Sequence, residues 1–148
     1  VQAVREMLRC TRPGHRVVVA VWDSLERSEA YPISVDLLDR RAGRAAADAL
    51  RAPFVRGDVD ELGAMFDEAG ASSTSIETQH GTARFPSIRS MVEADLRGWL
   101  PVMGVVLDED LIESILAEAE VVLGEFVTAD GAVTFDAPAH IVTAHTPS

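Results

Sequence analysis

The sequence contains no lysine and a single cysteine, and both shortages limit what the protein can bind. Its 148 residues carry thirteen arginines against 24 acidic residues, for a formal net charge of -11. Such a field repels phosphate backbones and anionic lipid headgroups, so we expect no nucleic-acid partner. Cys10 alone excludes an internal disulfide and a cysteine-based zinc site. This agrees with a reducing compartment, and we expect a cytoplasmic protein.

Long hydrophobic runs are also missing. The longest uninterrupted run of hydrophobic residues is Val17 to Trp22, far short of the roughly 20 residues of a membrane-spanning helix. No basic segment followed by an apolar one opens the chain. We therefore expect neither membrane insertion nor export. With 47% hydrophobic and 25% charged residues, residues 1–148 are expected to form a single domain.

The stretches rich in β-branched residues predict the strands. Arg16 to Trp22 is continuously apolar rather than alternating, which is typical of a strand covered on both faces in a parallel sheet. Ser73 to Gln79 predicts a polar strand with Ile76 pointing inward. Near the end, residues 133–135 and 139–144 predict two further strand pieces.

Helical patterns separate these strands. Apolar positions at helical spacing between Pro32 and Leu50 predict one or two helices, with an interruption at Gly43. A capping box formed by Asp58 and Glu61 predicts the start of another helix, which Gly70 ends. The sequence thus predicts a mixed α/β fold without internal repeats.

The order of these elements resembles a known family. The chain opens inside a helix, continues through Cys10-Thr11-Arg12-Pro13-Gly14-His15 into the Val-rich strand, and leaves that strand at Trp22-Asp23-Ser24. This resembles the C-terminal half of class I, Rossmann-type S-adenosylmethionine-dependent methyltransferases. It is most similar to small-molecule enzymes related to the quinone-biosynthesis methyltransferases, in which Leu-Arg-Pro-Gly-Gly leads into the fifth strand. His15 stands where that family has its second glycine.

The resemblance implies a partial Rossmann-like sheet. Residues 16–22 would be the fifth strand of a seven-stranded methyltransferase, residues 73–79 the sixth and residues 139–144 the seventh. The family's strand order would place them as 5-7-6. Residues 84–130 would then form a helical insertion on the substrate side of the single domain.

The resemblance also implies a function. In the complete family enzyme, S-adenosylmethionine lies on a glycine-rich turn after the first strand, and this sequence contains no such turn. No residue here is assigned to cofactor binding. We expect the acceptor-side portion of a small-molecule methyltransferase, inactive alone. The alternatives are a noncatalytic dimerising or small-ligand-binding module derived from a truncated methyltransferase, and a complete enzyme with an unrelated site, for which no residue constellation is found.

Candidate substrate-binding residues lie at the strand ends and in the insertions. Trp22 and Asp23 end the Val-rich strand, where ligands of open α/β sheets bind. Asp23 is a candidate acid, base or orienting group, or a plain turn residue. By resemblance, the residues that roof the acceptor pocket would be Tyr31, His80, Arg84, Phe85, Arg89, Trp99 and Met103.

Some of these candidates have a second interpretation. Phe85 and Trp99 fit a role in the hydrophobic core equally well. Arg84 and Arg89 fit surface ion pairs with the abundant carboxylates. No catalytic residue is assigned.

The sequence predicts no metal site. The four histidines, at positions 15, 80, 140 and 145, lack the spacing of a zinc site and are interpreted as surface or strand-end residues. Asp108-Glu109-Asp110 is interpreted as favourable charge at a helix N-terminus rather than a magnesium site.

One partner is predicted, namely a second copy of the chain. The Val-rich strand has no predicted neighbour on one side, and such an edge is a template for pairing. Because two-fold pairing is the commonest closed arrangement, we expect a homodimer through Arg16 to Val21.

Overall fold

The computed structural model describes residues 1–147, which divide into two compact units. The sheet unit comprises Val1–Ser24, Phe54–His80 and residues 138–147. The helical unit comprises Leu25–Pro53 and Gly81–Ala137. The helical unit contains residues 25–53 in addition to the predicted insertion at 84–130, so the two do not have the same bounds. The single domain and the insertion both stay predictions.

The sheet unit combines three strands with two helices. In chain order these are α1 (Gln2–Cys10), β1 (Arg16–Trp22), α4 (Val59–Ala69), β2 (Ser73–Gln79) and β5 (Ala139–His145). The helical unit contains α2 (Tyr31–Ala42), α3 (Arg44–Arg51), β3 (Thr82–Phe85), α5 (Ile88–Glu93), a π-helix (Ala94–Trp99), α6 (Leu100–Val102), α7 (Glu109–Val122) and β4 (Val133–Asp136).

The sheet of the sheet unit has the order β1-β5-β2, and both pairings are antiparallel. The last strand therefore lies between the other two. Ala139 pairs with Trp22 on one side and with Gln79 on the other, so β1 and β2 end level with each other. The predicted bounds of β1 and β2 are confirmed.

The prediction that β1 is covered on both faces in a parallel sheet is wrong. β1 pairs antiparallel with β5, and its residues alternate between exposed and half-buried. Val17, Val19 and Val21 face the core, whereas Val18 and Trp22 face away from it. Valine suits either face of a pleated strand, so a run of valines does not reveal which face is covered.

Helices α1 and α4 supply the core of the sheet unit. Leu8, Leu62 and Phe66 are buried together with Val142 and Ala144 of β5. Helix α4 begins as its capping pattern predicts, because the Asp58 carboxylate accepts a hydrogen bond from the Glu61 amide at 2.9 Å. It ends at Gly70, whose φ of +96° is the left-handed conformation that glycine favours.

The helical unit has a larger core of its own. Leu37, Leu100, Ile115 and Leu116 are almost fully buried in it. The predicted interruption at Gly43 is confirmed, since Gly43 separates α2 from α3 with a φ of +84°.

Strand β3 is the main element of the helical unit that the sequence does not predict; it pairs antiparallel with β4, which confirms the strand predicted at 133–135. Phe85 ends β3, and α5 starts after Ser87, whose hydroxyl accepts the Ser90 amide hydrogen. Four residues are too few to establish an alternating pattern.

No helix within residues 1–147 combines the length and the apolar character needed to span a membrane. Location in the cytoplasm stays a prediction.

Candidate functional site

The end of the sheet where β1 and β2 finish carries a cluster of polar side chains. Asp23 and His80 each follow a residue that pairs with Ala139, so they leave the sheet at the same end. The neighbouring residue of β5, His140, pairs with Val21 and Thr78. The strand register therefore sets Asp23, Thr78 and His140 close together.

His140 is the centre of this cluster and is 1% exposed. Its Nδ1 lies 2.9 Å from the Thr78 hydroxyl. Its Nε2 lies 2.9 Å from the Gly57 carbonyl oxygen and 3.1 Å from Oδ1 of Asp23. Both ring nitrogens are thus engaged, as a buried imidazole requires.

The hydrogen-bond partners of His140 indicate which ring nitrogen carries a hydrogen. A carbonyl oxygen only accepts hydrogen bonds, so Nε2 carries hydrogen and donates to Gly57. In the tautomer with hydrogen on Nε2 alone, Nδ1 accepts from the Thr78 hydroxyl. Oδ1 of Asp23 lies 3.1 Å from the same nitrogen.

Gly57 approaches the end of β1 so closely that no side chain fits there. A Cβ built on Gly57 would lie 2.0 Å from the Ser24 nitrogen and 2.3 Å from the Asp23 carbonyl carbon. Real Cβ atoms do not approach backbone this closely. A glycine at position 57 therefore allows its carbonyl to reach His140.

Asp23 is held at both its backbone and its side chain. Its amide donates to the Pro138 carbonyl at 3.0 Å, and its Oδ1 accepts the Ser24 amide hydrogen at 2.6 Å. Its side chain is 14% exposed, and Oδ2 makes no hydrogen bond within residues 1–147. This geometry leaves one carboxylate oxygen able to accept a hydrogen bond or a proton from a ligand hydroxyl or amine.

Trp22 and His80 lie at the same sheet end but outside the buried network. Trp22 is 47% exposed on the open face of the sheet. His80 is exposed as well. Of the predicted site residues, Trp22, Asp23 and His80 belong to the sheet unit, and the others belong to the helical unit.

Within the helical unit, two predicted site residues join an aromatic cluster around Phe135. Tyr31 meets Phe135 edge-on at 5.8 Å between ring centroids, and Phe85 stacks on it at 6.1 Å. The half-buried Trp99 donates its indole N–H to the Ala49 carbonyl at 2.7 Å. These contacts favour the core-packing interpretation of Phe85 and Trp99.

The two predicted arginines form ion pairs at the surface. Arg84 contacts Asp130 at 2.7 Å, and Arg89 contacts Glu113 at 2.7 Å. These contacts agree with the ion-pair interpretation. Met103 is 42% exposed. A substrate-binding role for these residues stays a prediction.

The surface interpretation is wrong for His140, which is buried although it lies one residue from the start of β5, whereas His145 ends the same strand and is exposed. The alternating pattern of β5 could have indicated this burial, because His140 shares a face with the apolar residues Val142 and Ala144.

Asp108 caps α7 by accepting the Leu111 amide hydrogen at 2.9 Å, as its N-terminal position predicts. Residues 1–147 contain no group of three or more histidine, cysteine or acidic side chains that could hold a metal ion.

Comparisons with known proteins find similarity in structure but not in sequence family. No family model and no curated protein matches the sequence. A proposed methyltransferase from Bacillus halodurans aligns with 98% of this chain and 62% of its own, at 13% identity and a TM-score of 0.48. The YcgJ protein of Bacillus subtilis aligns with 99% of this chain and 57% of its own, at 16% identity and a TM-score of 0.44. The chain therefore spans less than two thirds of either protein.

Proposed function

We propose that this chain is the acceptor-side portion of an S-adenosylmethionine-dependent small-molecule methyltransferase, and that it does not transfer a methyl group alone. The observation that carries the proposal is the strand order β1-β5-β2, with the last strand antiparallel to both neighbours. The resemblance in sequence implies the order 5-7-6 for these strands. We therefore assign β1 as the fifth strand, β5 as the seventh and β2 as the sixth.

The uncovered face of the sheet supports this assignment. Helices α1 and α4 pack on one face, while Val18 and Trp22 are 56% and 47% exposed on the other. Within residues 1–147, the outer edge of β1 has no partner strand. Sheets of the Rossmann type carry helices on both faces. An apolar face next to an open edge fits a sheet that continues in further strands and helices.

The residues present do not fit S-adenosylmethionine. The fold binds such a cofactor on a glycine-rich turn that leads from a strand into a helix. Within residues 1–147, β1 instead leads through Asp23 and Ser24, and β2 leads through His80 and Gly81 into another strand. The contribution we propose for this chain is Asp23, whose Oδ2 would orient or deprotonate the acceptor group.

Calorimetry with S-adenosylmethionine tests the proposal that the chain is inactive alone. We expect no binding heat at ligand concentrations up to hundreds of micromolar, because the cofactor turn is missing. Micromolar binding would overturn the proposal.

The reading frame upstream of Val1 gives a second test. We expect it to encode a strand followed by a glycine-rich turn, and a start codon directly before Val1 would favour the alternative function.

The alternative is a noncatalytic module that dimerises through residues 16–21, and the open edge and apolar face of β1 favour it. Exposed edges pair readily with other strands, and two-fold pairing would place the Val18 faces of two copies side by side. Light scattering at tens of micromolar should then give twice the monomer mass of 15.9 kDa. Val18→Glu should reduce the mass to that of a monomer, whereas Val121→Glu, at a site 79% exposed on α7, should not. A monomer in the unaltered protein contradicts this alternative.

A further inference from the structure

A small pocket inside the helical unit is lined in part by Asp95, an ionisable residue that forms no ion pair within residues 1–147. It lies among α2, α3, α5, the π-helix and α7, and its lining includes Leu37, Leu96 and Ile115. The lining side chains are buried except Asp95, which is half-buried. The pocket has room for about one water-sized group.

The Asp95 carboxylate makes no hydrogen bond or ion pair within residues 1–147. The other polar side chain of the lining, Ser34, donates its hydroxyl to the Ala30 carbonyl at 3.3 Å. Burial raises the pKa of Asp95 from its usual 3.8 to about 7. An unpaired carboxylate among apolar side chains is costly, and such a group calls for a ligand, an ion or a catalytic role.

The local chain supplies no counter-ion. Residues three and four positions from Asp95 are Val92, Met91, Gly98 and Trp99, none of which is charged. Arg97, which is in the same π-helix, instead contacts Glu109 at 2.5 Å. Single-turn π-helices occur frequently at functional sites.

The chemistry of the lining selects the ligand. A divalent cation needs several oxygen ligands, and Asp95 is the one acidic residue of a mostly apolar lining. A primary ammonium group carries a positive charge and hydrogen-bond donors on an apolar stem, and its head is about the size of a water molecule. We propose that this pocket binds the protonated amino group of a small molecule, with Asp95 as its counter-ion. The proposal does not depend on the function proposed above.

Methylammonium chloride is the probe for this site, with sodium chloride at the same ionic strength as the reference. At pH 8, we expect saturable methyl NMR shifts of Leu37, Leu96 and Ile115. Asp95→Asn should abolish them, and Asp39→Asn, which removes an exposed carboxylate from α2, should leave them unchanged. Tetramethylammonium should produce no such shifts, because it exceeds the pocket. Shifts that fail to saturate, that persist in Asp95→Asn, or that tetramethylammonium reproduces would overturn the proposal.

A pH comparison on the unaltered protein gives an independent readout. Because the pKa of Asp95 is about 7, lowering the pH from 8 to 6 reduces the ionised fraction about tenfold, and the apparent affinity should fall by about the same factor. Saturating methylammonium should in turn lower the pKa of Asp95, since a nearby cation favours the carboxylate. Equal affinity at both pH values would contradict the role of Asp95.

Discussion

The sheet unit and the helical unit each contain an ionisable side chain that is withdrawn from the surface, His140 almost completely and Asp95 in part, but they surround it differently. In the sheet unit, His140 is in contact with Thr78, Gly57 and Asp23 through both ring nitrogens. In the helical unit, Asp95 lines a mostly apolar pocket and has no hydrogen-bonding partner within residues 1–147. A buried polar group with partners stabilises and positions its surroundings, whereas one without partners is destabilising and open to a ligand.

Gly57→Ala should have the largest effect, because it breaks the contact on which the His140 network depends. The added Cβ would collide with the backbone at Asp23 and Ser24, and such strain costs on the order of 3 to 5 kcal/mol. Urea unfolding measures the loss. Gly63→Ala is the matched control, since its Cβ would meet only Ile76 at 3.8 Å in the interior of α4. It should stabilise the protein by up to about 1 kcal/mol. Equal effects of the two changes would contradict the close approach.

His140→Leu should have the next largest effect. It removes the donor that faces the Gly57 carbonyl and the Asp23 carboxylate, and groups left without partners cost about 2 to 4 kcal/mol. His145→Leu, on the exposed end of the same strand, should change the free energy of unfolding by less than about 0.5 kcal/mol. If both variants unfold at the same urea concentration, His140 does not hold the sheet end together.

Asp95→Asn should change stability in a manner that depends on pH. The folded-state pKa of Asp95 is about 7 against 3.8 ordinarily, so its contribution to stability is complete below pH 4 and decreases as the pH rises to about 7. Asparagine does not ionise, so the stability of the variant does not show this decrease. From pH 4 to pH 8 the variant should therefore gain about 1 to 3 kcal/mol relative to the unaltered protein, a value that allows for the solvent contact of Asp95. Urea unfolding across this range measures it, with Asp39→Asn expected to show no such trend.

The titration of Tyr31 is the smallest effect and the most direct test of the Asp95 environment. Burial, together with the negative charge of Asp95, raises the pKa of Tyr31 to about 12. Tyr31 is the only tyrosine, so phenolate absorbance reports it alone. Asp95→Asn should lower this pKa, because one negative charge is removed. An unchanged titration curve would mean that Asp95 does not act on Tyr31.

Local signals in the sequence determined where most elements begin and end. Residues 16–22 and 73–79 were predicted as strands by their composition, Gly43 as a break between helices, and Asp58 and Gly70 as helix caps. Such features depend on neighbours a few residues apart. The four-residue strand β3 was missed because it is too short to show a period.

Only the tertiary structure decided which polar groups meet and which stay alone. His140, Gly57 and Asp23 are separated by more than thirty residues from one another in the sequence and meet through strand register and a close backbone approach. The pocket at Asp95 likewise depends on side chains from several helices. Both arrangements are set by long-range packing, since a hydrogen-bond partner or an apolar wall can come from any part of a folded chain.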